Sequence, residues 1–441
     1  MADAVIRETV PMSSDVVRIG ILGCGNVGAA LVRLIHDNRA EILRRSGLTL
    51  EITQVAVRNL TRVRAVAIDE GVLTDDAHAL VCHDDVDVVV ELIGGIEPAK
   101  ALILAALALG KPVVTANKEL LANLGPELYS AAEAAGVDLL FEASVAGGIP
   151  LMRPLRESLA GERIERVMGI VNGTTNFILT QMTEFGSSFS DALAEAQSLG
   201  FAESDPTADV EGYDAAAKAA IIASIAFGAQ VVAQDVYREG ISAVSAADIT
   251  AAHELGYVIK LLAMAEDLDG AITVRVHPAM VPMDHPLAAV RGSFNAVFIE
   301  GESVGDLMLY GRGAGGDPTA IAVLGDVIDA ATNLNRKARG ATLGTLTRKP
   351  IRPIGDVASQ FYLTVDVDDR PGVLAAIAGA FGKHRVSIQS MQQKGQGDEA
   401  HLIFVTHLAP EAALAATIHD VRQLEAVKRV GSVLRVIGGE K

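Results

Sequence analysis

Lys218 and the carboxylates before it are the residues of this sequence best placed to move a proton. Five acidic residues lie between Glu203 and Asp214, and Lys218 carries the only charge of the alanine-rich run that follows. A helix over this run places Asp214 and Lys218 at positions i and i+4, on one face. As an exposed pair they would contribute only about 0.3–0.5 kcal/mol. Among small apolar neighbours a lysine needs a partner or a function. We therefore interpret Lys218 as a general acid or base, because burial would favour its neutral amine.

A glycine-rich turn near the start of the chain has the G-x-G-x-x-G spacing. The segment before it, "VVRIGIL", predicts a buried strand, and the segment after it predicts a helix. Such glycines permit a tight turn, leave room for a pyrophosphate and let the helix pack closely, while the helix N-terminus attracts negative charge. The alternative is a purely structural turn. We predict a dinucleotide site at Gly23, Gly25, Asn26, Val27 and Gly28.

The residue after the second predicted strand bears on the choice of dinucleotide. A site that prefers NAD usually carries Asp or Glu there, bonded to the ribose hydroxyls. Here the strand at 50–57 is followed by Arg58, and a cation suits a 2′-phosphate. We predict NADP(H), with NAD(H) as a second accepted cofactor; a solvated basic loop is the alternative.

Two further segments should lie at the same edge of the sheet, where the carboxyl ends of parallel strands meet and ligands bind. The predicted strand at 84–95 ends with Ile93 and Gly94, which we expect along the cofactor. Lys118 follows the next strand, in "TANKELL". A lysine is more often a surface residue, but this position makes Lys118 a second candidate for the site.

Length and composition limit the class of protein. A chain of 441 residues predicts two or three domains, and half of its residues are apolar. A net charge of −18 disfavours nucleic acid and anionic membranes as partners. Two cysteines provide no disulfide framework and favour a reducing, cytoplasmic setting. We interpret residues 1–14 as a flexible tail, and "ALILAALALG" as a buried helix too short to span a bilayer.

Several motifs in the same order resemble homoserine dehydrogenase, from residue 15 to about residue 335. They are "GCGNVG", "TANKELL", "FEASVAGGIP" and "IERVMGIVNGTTNFIL". The resemblance implies interconversion of L-homoserine and L-aspartate 4-semialdehyde by a homodimer or homotetramer. It also implies an α/β architecture: a Rossmann-type NAD(P)-binding domain over 15–140, completed by about 311–335, and an α+β substrate-binding and dimerisation domain over 141–310.

The resemblance assigns roles to particular residues. Lys218 or Lys118 would transfer the proton, and Glu203 and Asp214 would hold the ends of the substrate. Asp209 would belong to the same network, and Thr174 would donate a hydrogen bond near the substrate. Three glycines would lie near the cofactor: Gly313, Gly315 and Gly316. A sodium ion would be bound by the side chain of Glu142 and by carbonyl oxygens of Val145, Gly147 and Ile149; a glycine turn without an ion is the alternative.

After a basic linker at 336–360, the C-terminal part of the sequence predicts a new series of strands and helices. Its predicted order β-α-β-β-α-β is the ferredoxin-like unit, and with "DDRPGVL" residues 361–441 resemble an ACT domain. The resemblance implies an amino-acid effector, threonine, at the loop of Asp369, Gly372, Val373 and Leu374. Isoleucine, no ligand at all, or a passive oligomerisation module are the alternatives.

Two other functions fit parts of these observations. One is a dehydrogenase of another amino-acid aldehyde on the same fold. The other is a catalytically silent sensor that binds a nucleotide and an amino acid. The acidic set and both candidate lysines, which are intact, argue against the silent sensor.

Overall fold

A computed structural model describes residues 15–341, 346–395 and 400–438; the predicted tail at 1–14 lies outside the described residues. The chain divides into two compact units. Within the described ranges, the first unit comprises 15–121, 126–144 and 315–341. The second unit comprises 122–125, 145–314, 346–395 and 400–438.

Helices and strands alternate through the first third of the chain. They are β1 (Asp15–Leu22), α1 (Asn26–Asp37), α2 (Arg39–Ser46), β2 (Leu48–Ala56), β3 (Leu73–Thr74), α3 (Ala77–Cys82), β4 (Val88–Glu91), α4 (Ala99–Ala108), β5 (Val113–Thr115), α5 (Lys118–Ala135) and β6 (Leu139–Leu140).

The middle of the chain carries most of the helices and long strands of the second unit and ends with a helix of the first unit. These elements are β7 (Ile164–Ile170), α6 (Gly173–Phe185), α7 (Phe189–Ser198), α8 (Thr207–Val210), α9 (Tyr213–Phe227), β8 (Tyr237–Arg238), α10 (Ala246–Glu254), β9 (Tyr257–Leu268), β10 (Ala271–Pro282), β11 (Phe294–Gly301), β12 (Gly305–Arg312) and α11 (Gly316–Asn335).

The C-terminal part follows the predicted β-α-β-β-α-β order, with one additional two-residue strand. Its elements are β13 (Ala358–Val367), α12 (Val373–Lys383), β14 (Ile388–Lys394), β15 (Ala400–Thr406), β16 (Ala409–Pro410), α13 (Glu411–Arg422) and β17 (Val427–Val436).

The first unit is a parallel sheet with helices packed against it. Its strand order, β3-β2-β1-β4-β5-β6, is that of a doubly wound dinucleotide-binding fold. Central strands such as β1 and β4 consist mostly of apolar residues, because helices cover both faces of a parallel sheet. Helix α11 returns from later in the sequence and contributes Val323 and Val327 to the core of this unit. The predicted Rossmann-type architecture is confirmed.

The second unit is built on one mixed sheet, whose described strands run in the order β12-β11-β7-β9-β10-β17-β13-β15-β14. Strands β9 and β10 form its longest hairpin, and the two residues between them, Asp269 and Gly270, have φ of 56° and 84°. Positive φ at both positions is what a tight hairpin turn requires. The ACT-like strands do not form a separate sheet, because β17 pairs in parallel with β10 at Ala279 and Arg435.

Arg435 also connects these two parts of the second unit through side chains. It is 5% exposed, and its guanidinium donates to Glu239 at 2.9 Å and to Glu411 at 2.5 and 2.6 Å. Glu411 begins α13, whereas Glu239 directly follows β8. Two carboxylates therefore balance one buried cation at the junction of the two sets of strands.

A buried lysine of β9 holds a loop against helix α6. Lys260 is 4% exposed, and its Nζ donates to Asn176 Oδ1 at 3.0 Å and to the carbonyl oxygen of Val290 at 2.5 Å. The amide of Asn176 in turn donates to the carbonyl oxygens of Gly292 and Phe294. Burial lowers the pKa of Lys260 to about 8, because the interior disfavours the ammonium ion.

This depressed pKa predicts a pH dependence of stability. Between pH 8 and 10.5 the unfolded chain holds a proton at Lys260 that the folded chain has lost, so the free energy of unfolding rises with pH. We expect a rise of about 3 kcal/mol across this range relative to Lys260→Met, which has no such group. Denaturant unfolding of both proteins at about pH 7 and about pH 10 measures the difference. Parallel pH profiles of the two proteins would contradict the assignment.

No helix in the described ranges is both long enough and apolar enough to span a membrane.

Candidate active site

The glycine turn between β1 and α1 has the geometry of a phosphate cradle. Gly23 has φ of 98°, and a Cβ there would lie 2.8 Å from the carbonyl oxygen of Leu92. A Cβ on Gly28 would collide with the carbonyl oxygen of Gly23, whereas a Cβ on Gly25 would meet nothing within 4 Å. Gly25 is also the N-cap of α1, and no side chain caps that helix. Open space at an uncapped helix N-terminus fits a pyrophosphate.

Glu91 shapes the neighbouring edge of the sheet, and the sequence interpretation did not single it out. This residue ends β4 and is fully buried. Its Oε1 accepts hydrogen bonds from the backbone N–H groups of Ile93 at 2.8 Å and Gly94 at 3.0 Å, and its Oε2 accepts one from Thr115 at 2.6 Å. Glu91 therefore fixes the turn on which the predicted cofactor residues Ile93 and Gly94 lie.

Lys118 occupies the first position of α5, directly after the end of β5. Asn117 caps this helix by accepting from the backbone N–H of Leu120 at 3.0 Å, and its amide donates to the carbonyl oxygen of Gly95 at 2.7 Å. Asn117 thus ties the start of α5 to the glycine turn after β4. The predicted position of Lys118, at the carboxyl edge of the parallel sheet, is the position observed.

Arg58 lies two residues beyond β2 and is exposed. Arg64, farther along the same loop, donates to the carbonyl oxygens of Leu60 and Arg62. Burial raises the pKa of the Cys24 thiol, and the positive charge of Arg64 opposes this shift. The basic loop therefore brings a guanidinium into the electrostatic environment of the glycine turn.

In the second unit, Asp214 and Lys218 form a buried ion pair one turn apart on α9. Their exposed fractions are 7% and 9%. Lys218 Nζ donates to Asp214 Oδ2 at 2.6 Å and to the carbonyl oxygen of Val171, after β7, at 2.7 Å. Two acceptors therefore fix the direction of the ammonium group. The spacing alone was also compatible with a solvent-exposed pair, and the structure excludes that alternative.

Asn172 joins two of the predicted carboxylates, and the sequence interpretation did not assign it a role. Its Oδ1 accepts from the backbone N–H of Thr175 at 2.8 Å and so caps α6. Its Nδ2 donates to Asp209 Oδ1 at 2.7 Å and to Asp214 Oδ2 at 2.9 Å. The local signal was present, because Asn before "GTTN" is typical of a helix N-cap. We call Asn172, Asp209, Asp214 and Lys218 the carboxylate–lysine network.

Two of the predicted substrate residues lie outside this network's hydrogen bonds. The hydroxyl of Thr174 donates to the carbonyl oxygen of Phe201 at 2.7 Å and thereby holds the start of the acidic segment against α6. Glu203 is exposed, and its backbone carbonyl oxygen accepts from Gln197 at 3.0 Å. Within the described ranges its carboxylate forms no hydrogen bond to Asp209 or Asp214.

Asn295 is a buried polar side chain that sequence reasoning missed. It is 1% exposed, and neither its amide nitrogen nor its amide oxygen has a partner among the described residues. A Cβ on Gly313 would overlap this amide, and a Cβ on Gly173 would lie 3.6 Å from Asn295 Oδ1. The glycine at 313 is therefore required by packing as well as being a predicted cofactor residue.

Gly315 and Gly316 belong to the first unit, at the start of α11. Gly315 has φ of 124° and is the N-cap of the helix. A Cβ on Gly316 would lie 3.5 Å from the carbonyl oxygen of Asn26, the first residue of α1. These two glycines let α11 begin close to the predicted phosphate turn.

The predicted cation loop is mostly buried. Glu142 is 5% exposed, and its backbone N–H donates to Asp326 at 2.8 Å. In the second unit Val145 and Ile149 are buried, and Gly147 has φ of 54°. A Cβ on Gly147 would collide with the carbonyl oxygen of Gly313. Among the described residues no group of three or more His, Cys, Asp or Glu side chains could hold a metal.

The predicted effector residues line one cavity of about 390 Å³ at the start of α12. Gly372 has φ of 93° at the helix N-cap, a conformation that favours glycine. Gln393 donates to Asp369 Oδ1 at 3.2 Å across the cavity edge. The lining includes all four predicted residues: Asp369, Gly372, Val373 and Leu374.

Comparison with known proteins identifies three family models along the chain. Residues 23–142 match the NAD-binding domain of homoserine dehydrogenase, residues 150–328 match homoserine dehydrogenase, and residues 361–426 match the ACT domain. A homoserine dehydrogenase of Mycobacterium tuberculosis is 50% identical over 440 residues, covering 97% of this chain and 99% of the relative. One of Corynebacterium glutamicum is 51% identical over 425 residues, covering 95% of each.

Solved structures agree with these relatives. A homoserine dehydrogenase from Thiobacillus denitrificans aligns with a TM-score of 0.91 at 42% identity, covering 96% of this chain and 99% of that one. A mutant archaeal homoserine dehydrogenase in complex with NADPH aligns with a TM-score of 0.61 at 31% identity, covering 72% and 98%. Because the family models cover most of its length and relatives of about 50% identity match nearly all of it, the chain belongs to the homoserine dehydrogenase family, whose members are oxidoreductases that act on a CH–OH group with NAD(P).

Proposed function

We propose that the carboxylate–lysine network is the catalytic centre at which this chain interconverts L-homoserine and L-aspartate 4-semialdehyde. The observation that carries the proposal is the buried ammonium of Lys218, held at 2.6 Å by Asp214 and at 2.7 Å by a carbonyl oxygen. An ammonium group that is buried among apolar residues and held in one direction is well placed to transfer a proton to a bound substrate. A nicotinamide cofactor supplies the hydride in the reducing direction and accepts it in the other.

Lys218 donates its proton to the oxygen of the aldehyde during reduction and takes the proton of the hydroxyl during oxidation. Asp214 stabilises the ammonium form, and Asn172 holds Asp214 and Asp209 in place. Glu203 and Asp214 bind the ammonium and hydroxyl ends of the amino acid, with Asp209 bracing them and Thr174 beside the substrate. Lys118 is the second candidate for the proton and also a cofactor-binding residue.

For the cofactor we propose NADP(H), with NAD(H) also accepted. The glycine cradle suits a pyrophosphate, and the exposed cation Arg58 follows β2 where a 2′-phosphate would be bound. The dinucleotide contacts would come from Gly23, Gly25, Asn26, Val27, Gly28, Ile93 and Gly94, together with Gly313, Gly315 and Gly316. The related archaeal enzyme in complex with NADPH supports this preference.

Arg58→Asp is expected to lower the ratio of kcat/KM for NADP over that for NAD by about 10- to 100-fold, because a charge-assisted contact to the phosphate is replaced by repulsion. Homoserine oxidation with each cofactor measures the ratio. Arg39→Asp makes the same charge change at an exposed position of α2 and should leave the ratio unchanged. An unchanged ratio of the two kcat/KM values in Arg58→Asp would show that Arg58 does not bind the 2′-phosphate.

For regulation we propose that L-threonine binds the loop of Asp369, Gly372, Val373 and Leu374. The cavity of about 390 Å³ at these residues and the ACT family match support it. We expect L-threonine to inhibit the full chain, and Leu374→Ala to raise the half-inhibitory concentration by about 10-fold through lost apolar contact. Leu408→Ala, on a similarly exposed leucine of the same domain, is the control. Stronger inhibition by L-isoleucine, or equal inhibition of both variants, would contradict this assignment.

We further propose a bound sodium ion, a homo-oligomer of two or four chains and a cytoplasmic location. Side-chain and carbonyl oxygens are the ligands that hard cations prefer, and Glu142, Val145, Gly147 and Ile149 would provide them. The free thiols of Cys24 and Cys82 suit a reducing compartment.

A further inference from the structure

A second cavity lies on the opposite face of the ACT-like strands from helices α12 and α13. Residues of β13 alternate between the faces: Phe361, Leu363 and Val365 pack in the core that these helices cover, while Tyr362, Thr364 and Asp366 line the cavity. Helix α10 forms its other wall. The cavity has a volume of about 680 Å³, within the range of small-molecule sites.

This cavity is distinct from the one at the predicted effector loop. Neighbouring residues on the same strands divide between the two: Asp366, Lys394 and His401 line the larger cavity, whereas Val367, Gln393 and Leu402 line the smaller one. Because successive side chains of a strand point to opposite faces, the two cavities lie on opposite faces of the sheet.

Tyr362 provides the first observation that points to a binding site. The residue is 1% exposed, and its hydroxyl has no hydrogen-bond partner among the described residues. Burial raises the pKa of this phenol, with the carboxylates of Asp248 and Glu254 adding to the effect, so the hydroxyl stays neutral. A neutral phenol can donate and accept one hydrogen bond each, and leaving both unmade in a buried position is unfavourable.

Arg429 provides the second observation that points to a binding site. Its Nε donates to Asp366 Oδ2 at 3.0 Å, and the other oxygen of Asp366 contacts His401 Nδ1 at 2.6 Å. Asp366 thereby fixes the orientation of the guanidinium, whose terminal amino groups bond to no described residue, and the Arg429 side chain is 74% exposed. A held guanidinium with unused donors is suited to a carboxylate.

Much of the remaining lining is apolar or already hydrogen-bonded. Asp248 accepts hydrogen bonds from the hydroxyls of Ser245 at 2.6 Å and Ser432 at 2.7 Å. Lys394 is paired with Glu254. Small and aliphatic side chains complete the walls: Ala243, Ala247, Ala251, Ile403, Val430 and Val433. An apolar chamber with a few converging polar groups is typical of a binding site for a small organic molecule.

We propose that this cavity binds a small aliphatic carboxylate, with its carboxylate on Arg429, a hydrogen bond to the Tyr362 hydroxyl and its apolar body between α10 and Val433. Such a ligand would bridge α10 and the C-terminal strands within the second unit. The site is separate from the threonine loop and does not depend on the function proposed for that loop.

Calorimetric titration of the full chain with 4-methylpentanoate and with L-leucine tests the proposal. We expect saturable binding of at least one of them with a Kd of about 1 mM or tighter. The uncharged analogue 4-methylpentanamide should bind at least about 10-fold more weakly, because it cannot form the charged contact. Equal binding of the amide would overturn the role of Arg429.

Three variants locate the site. Tyr362→Phe should weaken binding about 3- to 10-fold and Arg429→Gln about 10- to 100-fold. Ala247→Trp adds a large side chain at an exposed lining position and should abolish binding without lowering Tm. Leu374→Ala, at the effector loop, should leave binding unchanged.

Two results would overturn the proposal. One is the absence of saturable binding for both carboxylates. The other is binding that survives both Ala247→Trp and Arg429→Gln but is lost in Leu374→Ala, which would place the ligand at the effector loop. Because Arg429 is exposed, Arg429→Gln keeps the test informative even if Ala247→Trp disturbs folding.

Discussion

Replacing Lys218 by methionine is expected to lower kcat by roughly 10²–10⁴-fold, the usual range for loss of a general acid or base. Methionine matches the length and the apolar surroundings of the lysine on α9, so the helix should keep its packing. Asp214 retains its hydrogen bond from Asn172, which limits the cost of losing the ammonium group. Steady-state assays in both directions measure kcat, and fluorescence titration with NADPH should show nearly unchanged affinity.

Lys260→Met is the matched control for this experiment. Lys260 is also a buried lysine of the second unit, but its acceptors are an amide and a backbone carbonyl group. The control should keep kcat of the same order as that of the unmodified chain. Normal turnover in Lys218→Met would remove Lys218 from the mechanism, and a large loss in Lys118→Met would then assign the proton to Lys118.

Asp214→Asn is expected to have the second-largest effect, and it should reduce both stability and catalysis. The substitution removes the carboxylate that accepts from Lys218 Nζ at 2.6 Å, and breaking a buried pair in this way typically costs about 3–5 kcal/mol. In the unmodified chain the amide of Asn172 donates to Asp214 Oδ2 at 2.9 Å. An asparagine at position 214 can place its own NH2 group against this donor, and the hydrogen bond would then be lost. We expect kcat/KM for homoserine to fall by about 10²–10³-fold, because a charge-assisted contact to the substrate is lost as well.

Denaturant unfolding and homoserine kinetics of the same samples separate the two effects. Asp205→Asn is the control, because Asp205 lies exposed in the same acidic segment and should change stability by no more than about 0.5 kcal/mol. The double variant Asp214→Asn, Lys218→Met should be less destabilised than the sum of the single variants, since both charges of the pair are removed. An Asp214→Asn variant indistinguishable from Asp205→Asn would show that the pair is neither structural nor catalytic.

The features that the sequence predicted well depend on short-range patterns. The glycine turn, the i, i+4 spacing of Asp214 and Lys218, and the β-α-β-β-α-β order of the C-terminal part each lie within a few dozen residues. Local spacing determines which residues share a helix face or form a turn. The fold class and the position of Lys118 after β5 followed from the same kind of reasoning.

The partners of the site residues could not be predicted in this way. Asn172 reaches Asp209 and Asp214 across 37 and 42 positions of the chain, and no periodicity relates them. The exposed position of Glu203, outside the hydrogen bonds of that network, likewise depends on how the loop before α8 runs.

The sequence by itself therefore determined the glycine turn, the order of the C-terminal elements, the family and the pair of residues on α9. Only the tertiary structure decided that this pair is buried, that Glu91 holds the turn of Ile93 and Gly94, and that β17 extends the sheet of the second unit through β10. The reason is physical: helix faces and turns are set by neighbouring residues, whereas burial, strand register and polar partners arise when distant segments pack together.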